Sequence, residues 1–214
     1  MNEYDKAYTT KDFFGDKADS LLVNHCQKIK AGGKVLDIGI GQGRNAFFLL
    51  DKGFHIDGID PSKTAVETLK RQANEQKISL RVFNDDFNSF KTKSNTYDAI
   101  LIFGLIQILS EKQIELLVDK TAKWLKSGGL VFITGFTKKE KVFMPKTIEW
   151  EKLSKSSFTN KKGQFRTFLY VDEAQKFFKG FDLIHAWEGL GKKHQHGMGE
   201  EEQHHVFELI TKLK

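Results

Sequence analysis

The chain has 214 residues, of which 39% are hydrophobic and 29% are charged, values typical of one globular domain with a large core. Its formal charge of +6 comes from lysines spread along the whole sequence, which favours a solvated basic surface over a nucleic-acid patch. The single cysteine, Cys26, excludes an intramolecular disulfide framework. Because no apolar run reaches membrane-spanning length and the polar N-terminus lacks the pattern of a signal peptide, we expect a cytoplasmic protein without a membrane partner.

Residues 1–135 contain short apolar runs that alternate with amphipathic segments. Continuously apolar short runs are typical of strands buried on both faces of a sheet. Strands that alternate with helices predict a parallel, doubly wound sheet. The predicted elements, in chain order, are a helix at 16–30, a strand at 35–38, a helix at 44–52, a strand at 54–59, a helix opened by Pro61 and Ser62, strands at 78–83 and 97–103, a helix at 111–126 and a strand at 130–134.

The pattern changes after residue 135. The stretch 137–167 is lysine-rich and has scattered aromatic residues without a clear period, and long irregular segments are often functional. A helix is predicted at 171–179. Two strands at 181–187 and 206–211 then predict an antiparallel hairpin at the edge of the sheet, joined by a loop rich in histidine and glycine.

A glycine-rich turn follows the first strand, with glycines at 39, 41 and 43 and an aspartate, Asp37, at the end of the strand. Alternate glycines let the backbone turn sharply and approach a ligand without Cβ clashes. The N-terminus of the following helix offers free N–H groups to an anion. Asp37 can hold an ammonium group. A ligand with both a carboxylate and an ammonium group, such as S-adenosylmethionine, therefore suits this turn.

A dinucleotide is the main alternative ligand for the turn. Gly41, Gly43 and Ala46 form GxGxxA, a permitted variant of the NAD fingerprint. That motif alone is weak, and a nicotinamide turn has no need of an acidic residue two places before its first glycine. The aspartate of DxGxGxG therefore favours S-adenosylmethionine, a methyl donor, over a dinucleotide as the ligand. A purely structural glycine turn is the third interpretation.

Two further acidic positions follow later strands. Asp60 ends the second strand, 19 residues beyond Gly41, where its two oxygens can accept hydrogen bonds from both ribose hydroxyls. The alternative is a helix-capping aspartate before Pro61. After the third strand, Asp86 can accept from an adenine amino group and Phe87 can form an apolar wall, unless this is a solvated acidic turn.

Five segments, in order and at normal spacing, resemble class I S-adenosylmethionine-dependent methyltransferases: VLDIGIGQGRN, GIDPS, NDDF, YDAILIF and LKSGGLVFIT. The stretch GQGRNAFFLLDKGFHIDGIDPS is similar to small bacterial methyltransferases of the tellurite-resistance type, and DFFG at 12–15 resembles the lid of small relatives. The resemblance implies a three-layer Rossmann-like α/β sandwich with a mostly parallel seven-stranded sheet and an antiparallel C-terminal hairpin. It also implies that Phe103 lies beside the methionine part of the donor.

The predicted site follows from these motifs. We expect one domain over residues 1–214, with an N-terminal lid and helix (1–33), a cofactor-binding core (34–135) and a substrate-side segment with the closing hairpin (136–214). The residues predicted to bind S-adenosylmethionine are Asp37, Gly39, Gly41, Gly43, Arg44, Asn45, Asp60, Pro61, Asp86, Phe87 and Phe103.

Absent motifs narrow the methyl acceptor. The fourth strand is followed by Phe-Gly-Leu-Ile rather than the polar-Pro-Pro-aromatic run of enzymes that methylate base amines. A cysteine nucleophile and a catechol-type acidic metal set are also missing there. The apolar loop 104–109 suits a small acceptor, with Phe14, Leu105 and Ile106 on the substrate side. A thiol, a metalloid anion, an amine and a phenol remain open as acceptors.

Histidines crowd the C-terminal region, with glutamates close by in the sequence. They predict either a base or metal site near the acceptor, or a solvated loop whose histidines have no joint role. Since the spacings between these histidines do not define a second pair of metal ligands, we assign no metal ion to the site. The candidate catalytic residues are Tyr8, His194 and His196, while the histidines of the cluster are His185, His194, His196, His204 and His205.

Three other functions stay open at this stage. The basic charge is compatible with an RNA-directed methyltransferase, and the turn alone with a non-catalytic cofactor-binding module or an NAD-dependent oxidoreductase. Methyl transfer to a small molecule is the favoured interpretation, by a monomer or a homodimer.

Overall fold

The computed structural model describes residues 3–195, 197 and 199–214, and these residues form seven α-helices and twelve β-strands. The helices are α1 (Glu3–Ala7), α2 (Ser20–His25), α3 (Arg44–Asp51), α4 (Lys63–Glu75), α5 (Glu111–Trp124), α6 (Phe143–Glu149) and α7 (Val171–Phe177), with 3-10 turns at Cys26–Lys28 and Ile106–Ile108. The strands are β1 (Lys34–Ile38), β2 (His55–Asp60), β3 (Arg81–Asn84), β4 (Tyr97–Phe103), β5 (Leu125–Phe136), β6 (Glu151–Lys152), β7 (Ser157–Thr159), β8 (Phe165–Thr167), β9 (Phe181–Leu190), β10 (His194–Gln195), β11 (Glu201–Glu202) and β12 (His205–Leu213).

Seven strands form the central sheet, in the spatial order β3-β2-β1-β4-β5-β12-β9. The first five are parallel to one another, and β12 is antiparallel to both β5 and β9. The prediction of a mostly parallel α/β sandwich with an antiparallel C-terminal hairpin is therefore confirmed. Because β12 lies between β5 and β9, the edge strand of the hairpin is β9.

The sheet is buried on both faces, as the continuously apolar strands predict. Successive residues of a strand point to opposite faces. Leu36 accordingly packs in one buried cluster with Ile114 and Leu117 of α5, while its neighbour Val35 packs in another with Leu49 of α3 and residues of α4. These two hydrophobic layers hold the strands of the sheet in place, and the residues of the candidate active site lie at the ends of those strands.

Two of the predicted element boundaries are wrong for a reason that the local structure shows. The helix predicted at 16–30 begins at Ser20, because the Asp19 side chain accepts from the Leu21 N–H and caps the helix there. The fifth strand begins at Leu125 rather than at 130, so that the double glycine lies inside it. Gly128 has a φ of +75°, and the pairing with β4 shifts register at this point, which makes the glycines a bulge.

The stretch 137–167 is not irregular, contrary to the prediction. It contains α6 and a three-stranded antiparallel sheet of β6, β7 and β8. Aromatic rings hold it together, with Phe143 and Phe158 both in edge contact with Phe168. The Thr167 hydroxyl donates to the Leu109 carbonyl, which fixes this small sheet to the loop after β4.

The third strand also begins later than predicted, at Arg81 rather than at 78, and the predicted helices at 111–126 and 171–179 end two residues earlier. Both strands of the closing hairpin are longer than predicted. Among the described residues, no helix is long and apolar enough to cross a membrane.

Candidate active site

The carboxyl ends of the parallel strands meet at one edge of the sheet, and the predicted site residues follow those ends. Ligands of open α/β sheets bind at this edge, where the strand order reverses. Here the reversal lies between β1 and β4. Asp37 precedes the last residue of β1, Asp60 ends β2 and Phe103 ends β4. The fold thus brings these three predicted residues to the same edge of the sheet, on three adjacent strands.

Asp37 is a buried carboxylate with an unused acceptor. The residue is 3% exposed, and its Oδ2 atom has no hydrogen-bond partner among the described residues. Burial, together with the nearby Asp60 carboxylate, raises the pKa of Asp37 to about 7. A buried polar atom without a partner requires an explanation, and at the end of β1, beside the glycine turn, a polar group of a ligand provides one. A cation such as the ammonium group of a methionine moiety fits this position.

The glycine turn requires residues without a side chain. Gly39, Gly41 and Gly43 all have φ values in the left-handed region, of +78°, +53° and +83°. A Cβ atom at Gly43 would in addition lie 2.6 Å from a methyl carbon of Leu69 on α4. Nothing lies within 4 Å of the Cβ position of Gly39. The turn is therefore tight against α4 on one side and open at its first glycine.

Asp60 fastens the glycine turn to the start of α4. Its Oδ2 accepts from the Gly41 N–H at 2.9 Å and its Oδ1 from the Ser62 N–H at 2.8 Å. Burial raises the pKa of Asp60, and a nearby carboxylate, Asp5, acts in the same direction against the two N–H donors. Since each carboxylate oxygen has two lone pairs, both retain an acceptor site for ribose hydroxyls. The N-cap of α4 is Ser62, whose hydroxyl accepts from the Ala65 N–H at 3.2 Å, so Asp60 positions the residue that caps the helix and does not cap it itself.

The Tyr8 side chain packs against the glycine turn. A Cβ atom at Gly41 would be 2.9 Å from the Tyr8 hydroxyl oxygen. Burial, followed by the Asp60 carboxylate, raises the pKa of Tyr8 above its usual value. At neutral pH the phenol therefore stays protonated, which suits a hydrogen-bond donor beside the crevice better than a general base. The centroid of its ring lies 5.8 Å from the centroid of the Phe14 ring, so both predicted lid residues belong to one aromatic cluster.

The N-terminal segment, which we define as residues 5–19, is held against the glycine turn by polar contacts. The Gln42 side chain accepts from the Phe13 N–H at 2.8 Å and donates to the Thr10 carbonyl at 2.9 Å. On the other side, the Ser62 hydroxyl donates to the Asp5 carboxylate at 2.6 Å. The role of Gln42 was not predicted from the sequence, because nothing in the local pattern indicates a contact to residues about thirty positions away.

Arg44 and Asn45 also contact this segment. Arg44 donates to the Phe14 carbonyl at 3.0 Å, and the Asn45 side-chain oxygen accepts from the Asp19 N–H at 2.8 Å. Both residues were predicted to bind the methyl donor. Their side chains contact the N-terminal segment, while their backbone N–H groups lie in the first turn of α3. A role toward the donor remains a prediction for them.

The other predicted donor residues have varied surroundings. Asp86 accepts from the N–H groups of Asn88 and Ser89, and despite partial burial these bonds lower its pKa. Phe87 is buried in the sheet core, and Pro61 is exposed just before the cap of α4. Contacts to adenine remain predictions for Asp86 and Phe87.

The loop after β4 forms the base of the predicted acceptor side. Gly104 has a φ of +63°, and its N–H donates to the Thr134 hydroxyl at 3.2 Å. Leu105 is half-buried against the core and Ile106 is only 1% exposed, so Ile106 is a packing residue here. Phe103 is half-buried and packs against the opposite hydrophobic layer.

The histidines separate into different surroundings. His185 contacts His25 of α2, with ring centroids 4.6 Å apart, on the β9 side of the sheet. His194 and His204 lie together, with ring centroids 5.1 Å apart. His196 lies outside the described residues. Among the residues that the structure describes, no group of three or more potential ligands could hold a metal ion.

His204 is enclosed by two carboxylates. Its Nδ1 lies 3.2 Å from an oxygen of Glu140 and its Nε2 lies 3.2 Å from an oxygen of Glu202. The hydrogen bonds from His204 and from the His205 N–H lower the pKa of Glu140, although burial alone would raise it. Sequence reasoning missed Glu140, since an acidic residue among lysines resembles a solvated charge.

Comparison with known proteins agrees with this geometry. Residues 35–129 match a methyltransferase domain family. A probable (S)-tetrahydroprotoberberine N-methyltransferase of Papaver bracteatum is 32% identical over 51% of this chain and 31% of its own length. The probable S-adenosylmethionine-dependent methyltransferase TehB of Haemophilus influenzae is 22% identical over 90% of this chain and 59% of its own length. The chain thus spans less than two thirds of either relative.

Solved structures share the fold. A methyltransferase structure from Methanosarcina mazei superimposes with a TM-score of 0.74 at 16% identity, and the match covers 92% of this chain and 98% of the other. The strand-end motifs, the glycine turn and the family match agree with one another. The resemblance to S-adenosylmethionine-dependent methyltransferases that the sequence indicates is therefore confirmed, and residues 35–129 are the part of the chain that matches the methyltransferase domain family.

Proposed function

We propose that the protein transfers a methyl group from S-adenosylmethionine to a small-molecule acceptor. The unpartnered Oδ2 of Asp37, buried at the end of β1 and directly before the glycine turn, is the observation that carries this proposal. When bound, the donor supplies an electrophilic methyl carbon on a sulfonium centre. The protein's task is to position acceptor and donor, because an in-line displacement requires alignment above all.

Three groups of the chain would hold the donor. Asp37 would receive the ammonium group, which resolves both its missing partner and its raised pKa. The N–H groups at the start of α3 would receive the carboxylate. Asp60 would accept from the ribose hydroxyls with its remaining lone pairs while keeping its bonds to Gly41 and Ser62.

The N-terminal segment would close the site against water. Tyr8 lies on the turn itself, and Gln42 and Arg44 fasten the segment through its backbone. Exclusion of water strengthens the electrostatic contacts to a charged ligand, because the local dielectric falls. The same segment would also form one wall of the acceptor site through Phe14.

A small acceptor is favoured over RNA by the surroundings of the lysines. Lys138 pairs with Glu173 and Lys139 with Glu188, so that two lysines of the 137–167 stretch are already neutralised within the fold. The relatives reported above include a probable (S)-tetrahydroprotoberberine N-methyltransferase. Both observations support a small molecule as substrate.

Calorimetry tests the donor. We expect S-adenosylhomocysteine to bind, NAD to show no heat, and Asp60→Ala to weaken binding by at least tenfold because both its carboxylate and its fastening of the turn are lost. Asp182→Ala is the matched control, since Asp182 is an exposed aspartate on the edge strand β9. Tight NAD binding, or an unchanged affinity in Asp60→Ala, would refute the proposal.

A further inference from the structure

The unit between β5 and α7 carries most of the net charge of the protein. Residues 141–167 contain α6 and the small sheet of β6, β7 and β8. They include seven basic and two acidic residues, whereas the rest of the chain has 27 basic and 26 acidic ones. Lysines are thus spread along the whole sequence, but the positive charge that acidic residues leave uncompensated lies in this unit. We call residues 141–167 the basic cap.

The lysines of the basic cap are mostly directed to solvent. Among the described residues, five of them are exposed and form no ion pair: Lys141, Lys152, Lys155, Lys161 and Lys162. Lys146 differs, since it lies 3.5 Å from the Glu149 carboxylate. Exposed lysines without a carboxylate partner add little to the stability of a fold, but together they attract an anionic surface.

Large apolar side chains are exposed on the same unit. Met144 is 63% and Ile148 is 81% exposed, and because they are four residues apart they share one face of α6. Leu153, which follows β6, is 48% exposed. Phe143 instead packs inward, where its ring contacts the ring of Phe158. The core of the basic cap is therefore built from other side chains, and these three remain available for a partner.

A tryptophan lies next to both kinds of side chain. Trp150 is half-buried and directly follows α6. The ammonium group of Lys146 lies 4.7 Å from the centroid of its ring, and the guanidinium group of Arg166 lies 5.7 Å from it. Tryptophan is enriched where an apolar phase meets water, because its ring is apolar and its N–H is polar. Exposed aliphatic side chains, a tryptophan and several cations together are typical of surfaces that bind the headgroup region of a membrane.

A second apolar surface lacks this charge. The edge strand β9 exposes Leu183, Trp187 and Leu190, but it contains two acidic residues and no lysine or arginine. It therefore offers apolar contacts without an excess of positive charge. Only the basic cap combines the two among these surfaces, which makes β9 a suitable internal control.

We infer that the basic cap docks the protein on an anionic lipid surface, with Met144, Ile148 and Leu153 inserted among the lipid headgroups. This inference goes beyond the proposed function and does not depend on it. Docking of this kind requires no membrane-spanning helix, so the expectation of no membrane partner, which rests on the absence of a spanning segment, does not exclude it. The docked unit is also the one that the Thr167 hydroxyl fixes to the predicted acceptor loop.

Nucleic acid is the other polyanion that exposed lysines attract. Its phosphates would neutralise the same cations. However, they offer no apolar phase to Met144 and Ile148, whereas the acyl boundary of a bilayer does. The exposed apolar face of α6 therefore favours lipid over RNA.

Flotation of the full chain with lipid vesicles tests the charge of the basic cap. At about 0.15 M salt, vesicles of phosphatidylcholine with about 30% phosphatidylglycerol should bind the protein at least tenfold more tightly than pure phosphatidylcholine. Each lysine at an anionic surface contributes about fivefold, so Lys161→Gln with Lys162→Gln should weaken binding by roughly 25-fold. Lys91→Gln with Lys93→Gln removes two exposed lysines outside the cap and should change binding less than about twofold.

Two measurements test the apolar contact. Ile148→Ser should weaken vesicle binding by about tenfold, while Leu190→Ser, at a position 62% exposed on β9, should leave it unchanged. Both variants should keep the melting temperature of the unmodified protein. In a Trp187→Phe protein, brominated phosphatidylcholine in the anionic vesicles should quench the fluorescence of Trp150, because the remaining tryptophan, Trp124, is only 3% exposed.

The opposite outcomes would overturn the inference. They are equal binding to the two kinds of vesicle, binding to neither, equal losses in the two double-lysine variants, or full binding by Ile148→Ser. Tighter binding to mixed-sequence RNA than to anionic vesicles, unaffected by Ile148→Ser, would assign the basic cap to nucleic acid instead. Because the assays need neither S-adenosylmethionine nor turnover, their failure is separate from a failure of the proposed function.

Discussion

Replacement of Asp37 by asparagine should change how ligand binding depends on pH. The substitution removes the buried charge and keeps the size of the side chain. In the unliganded protein, burial and the Asp60 carboxylate hold the pKa of Asp37 at about 7. An ammonium group binds favourably only to the ionised carboxylate. Below pH 7, therefore, each pH unit should weaken S-adenosylhomocysteine binding by about tenfold, because one proton must first be released.

The magnitude follows from that pKa. Between pH 6 and pH 8 the ionised fraction of Asp37 rises from a small minority to a large majority, so the dissociation constant should fall about tenfold. In Asp37→Asn the affinity should be lower throughout, and this dependence on pH should disappear. Asp182→Asn, on the edge strand β9, should behave like the unmodified protein.

The same raised pKa predicts an effect on stability. A carboxyl whose pKa is raised on folding binds its proton more tightly in the folded state, so stability falls as the pH rises from its ordinary value of 3.8 to about 7. Above pH 7 the full penalty is present, roughly 4 kcal/mol at most. Without ligand, Asp37→Asn should therefore unfold at higher urea concentration than the unmodified protein at pH 8, and at a similar concentration near pH 4.

Calorimetry at pH 6, 7 and 8, with urea unfolding at pH 4 and pH 8, measures both effects. A flat affinity profile in the unmodified protein would show that Asp37 is already ionised and has a partner. An asparagine variant that kept the tenfold dependence would assign the proton to another group. The first result would refute the raised pKa of Asp37, and the second would refute the assignment of the ammonium group to Asp37.

Two further predictions concern the turn and the segment that covers it. Gly43→Ala should destabilise the protein more than Gly53→Ala in urea unfolding, by roughly 1–3 kcal/mol, because both positions have φ near +80° but only a Cβ at Gly43 would meet Leu69, at 2.6 Å; equal losses would refute the packing argument. Gln42→Ala should release the N-terminal segment, so that limited proteolysis within residues 10–19 and dissociation of S-adenosylhomocysteine both become faster. Gln27→Ala, which removes only a contact to a neighbouring turn, is the control, and equal cleavage rates in the two variants would contradict this role.

The sheet and the crevice could be predicted because their determinants are local. Apolar runs and turn residues specify strands and helices over short stretches. Once β1 and β2 are parallel neighbours, the side chains at their carboxyl ends must lie close together. This is why Asp37 and Asp60 were predicted at one crevice, and why the pKa of Asp37 responds to the charge of Asp60.

The small sheet after β5 could not be predicted, since its strands have two or three residues each. Alternation cannot be recognised over so short a length. The start of β5 was missed for a related reason. A double glycine normally ends an element, whereas Gly128 and Gly129 form a bulge within a strand that continues on both sides.

Contacts between distant parts of the chain leave no local pattern. Glu140 and His204 are 64 residues apart, and they meet because β5 and β12 pair in antiparallel register, with Phe136 opposite Val206. The same holds for Gln42, whose partners lie about 30 residues earlier. Such pairs follow from the topology of the sheet, which the sequence specifies only as a whole.

The short stretch from Gly41 to Asn45 has two roles, although its sequence pattern predicts only one of them, which is donor binding. Its backbone forms the tight turn and the helix start that suit a donor, while the side chains of Gln42, Arg44 and Asn45 bind the backbone of the N-terminal segment. Since Tyr8 of that segment lies on Gly41, a donor that reaches the turn must displace or fit beneath the phenol. We therefore expect donor binding and closure of the segment to be coupled through the same five residues, so that a change in either is measurable in the other.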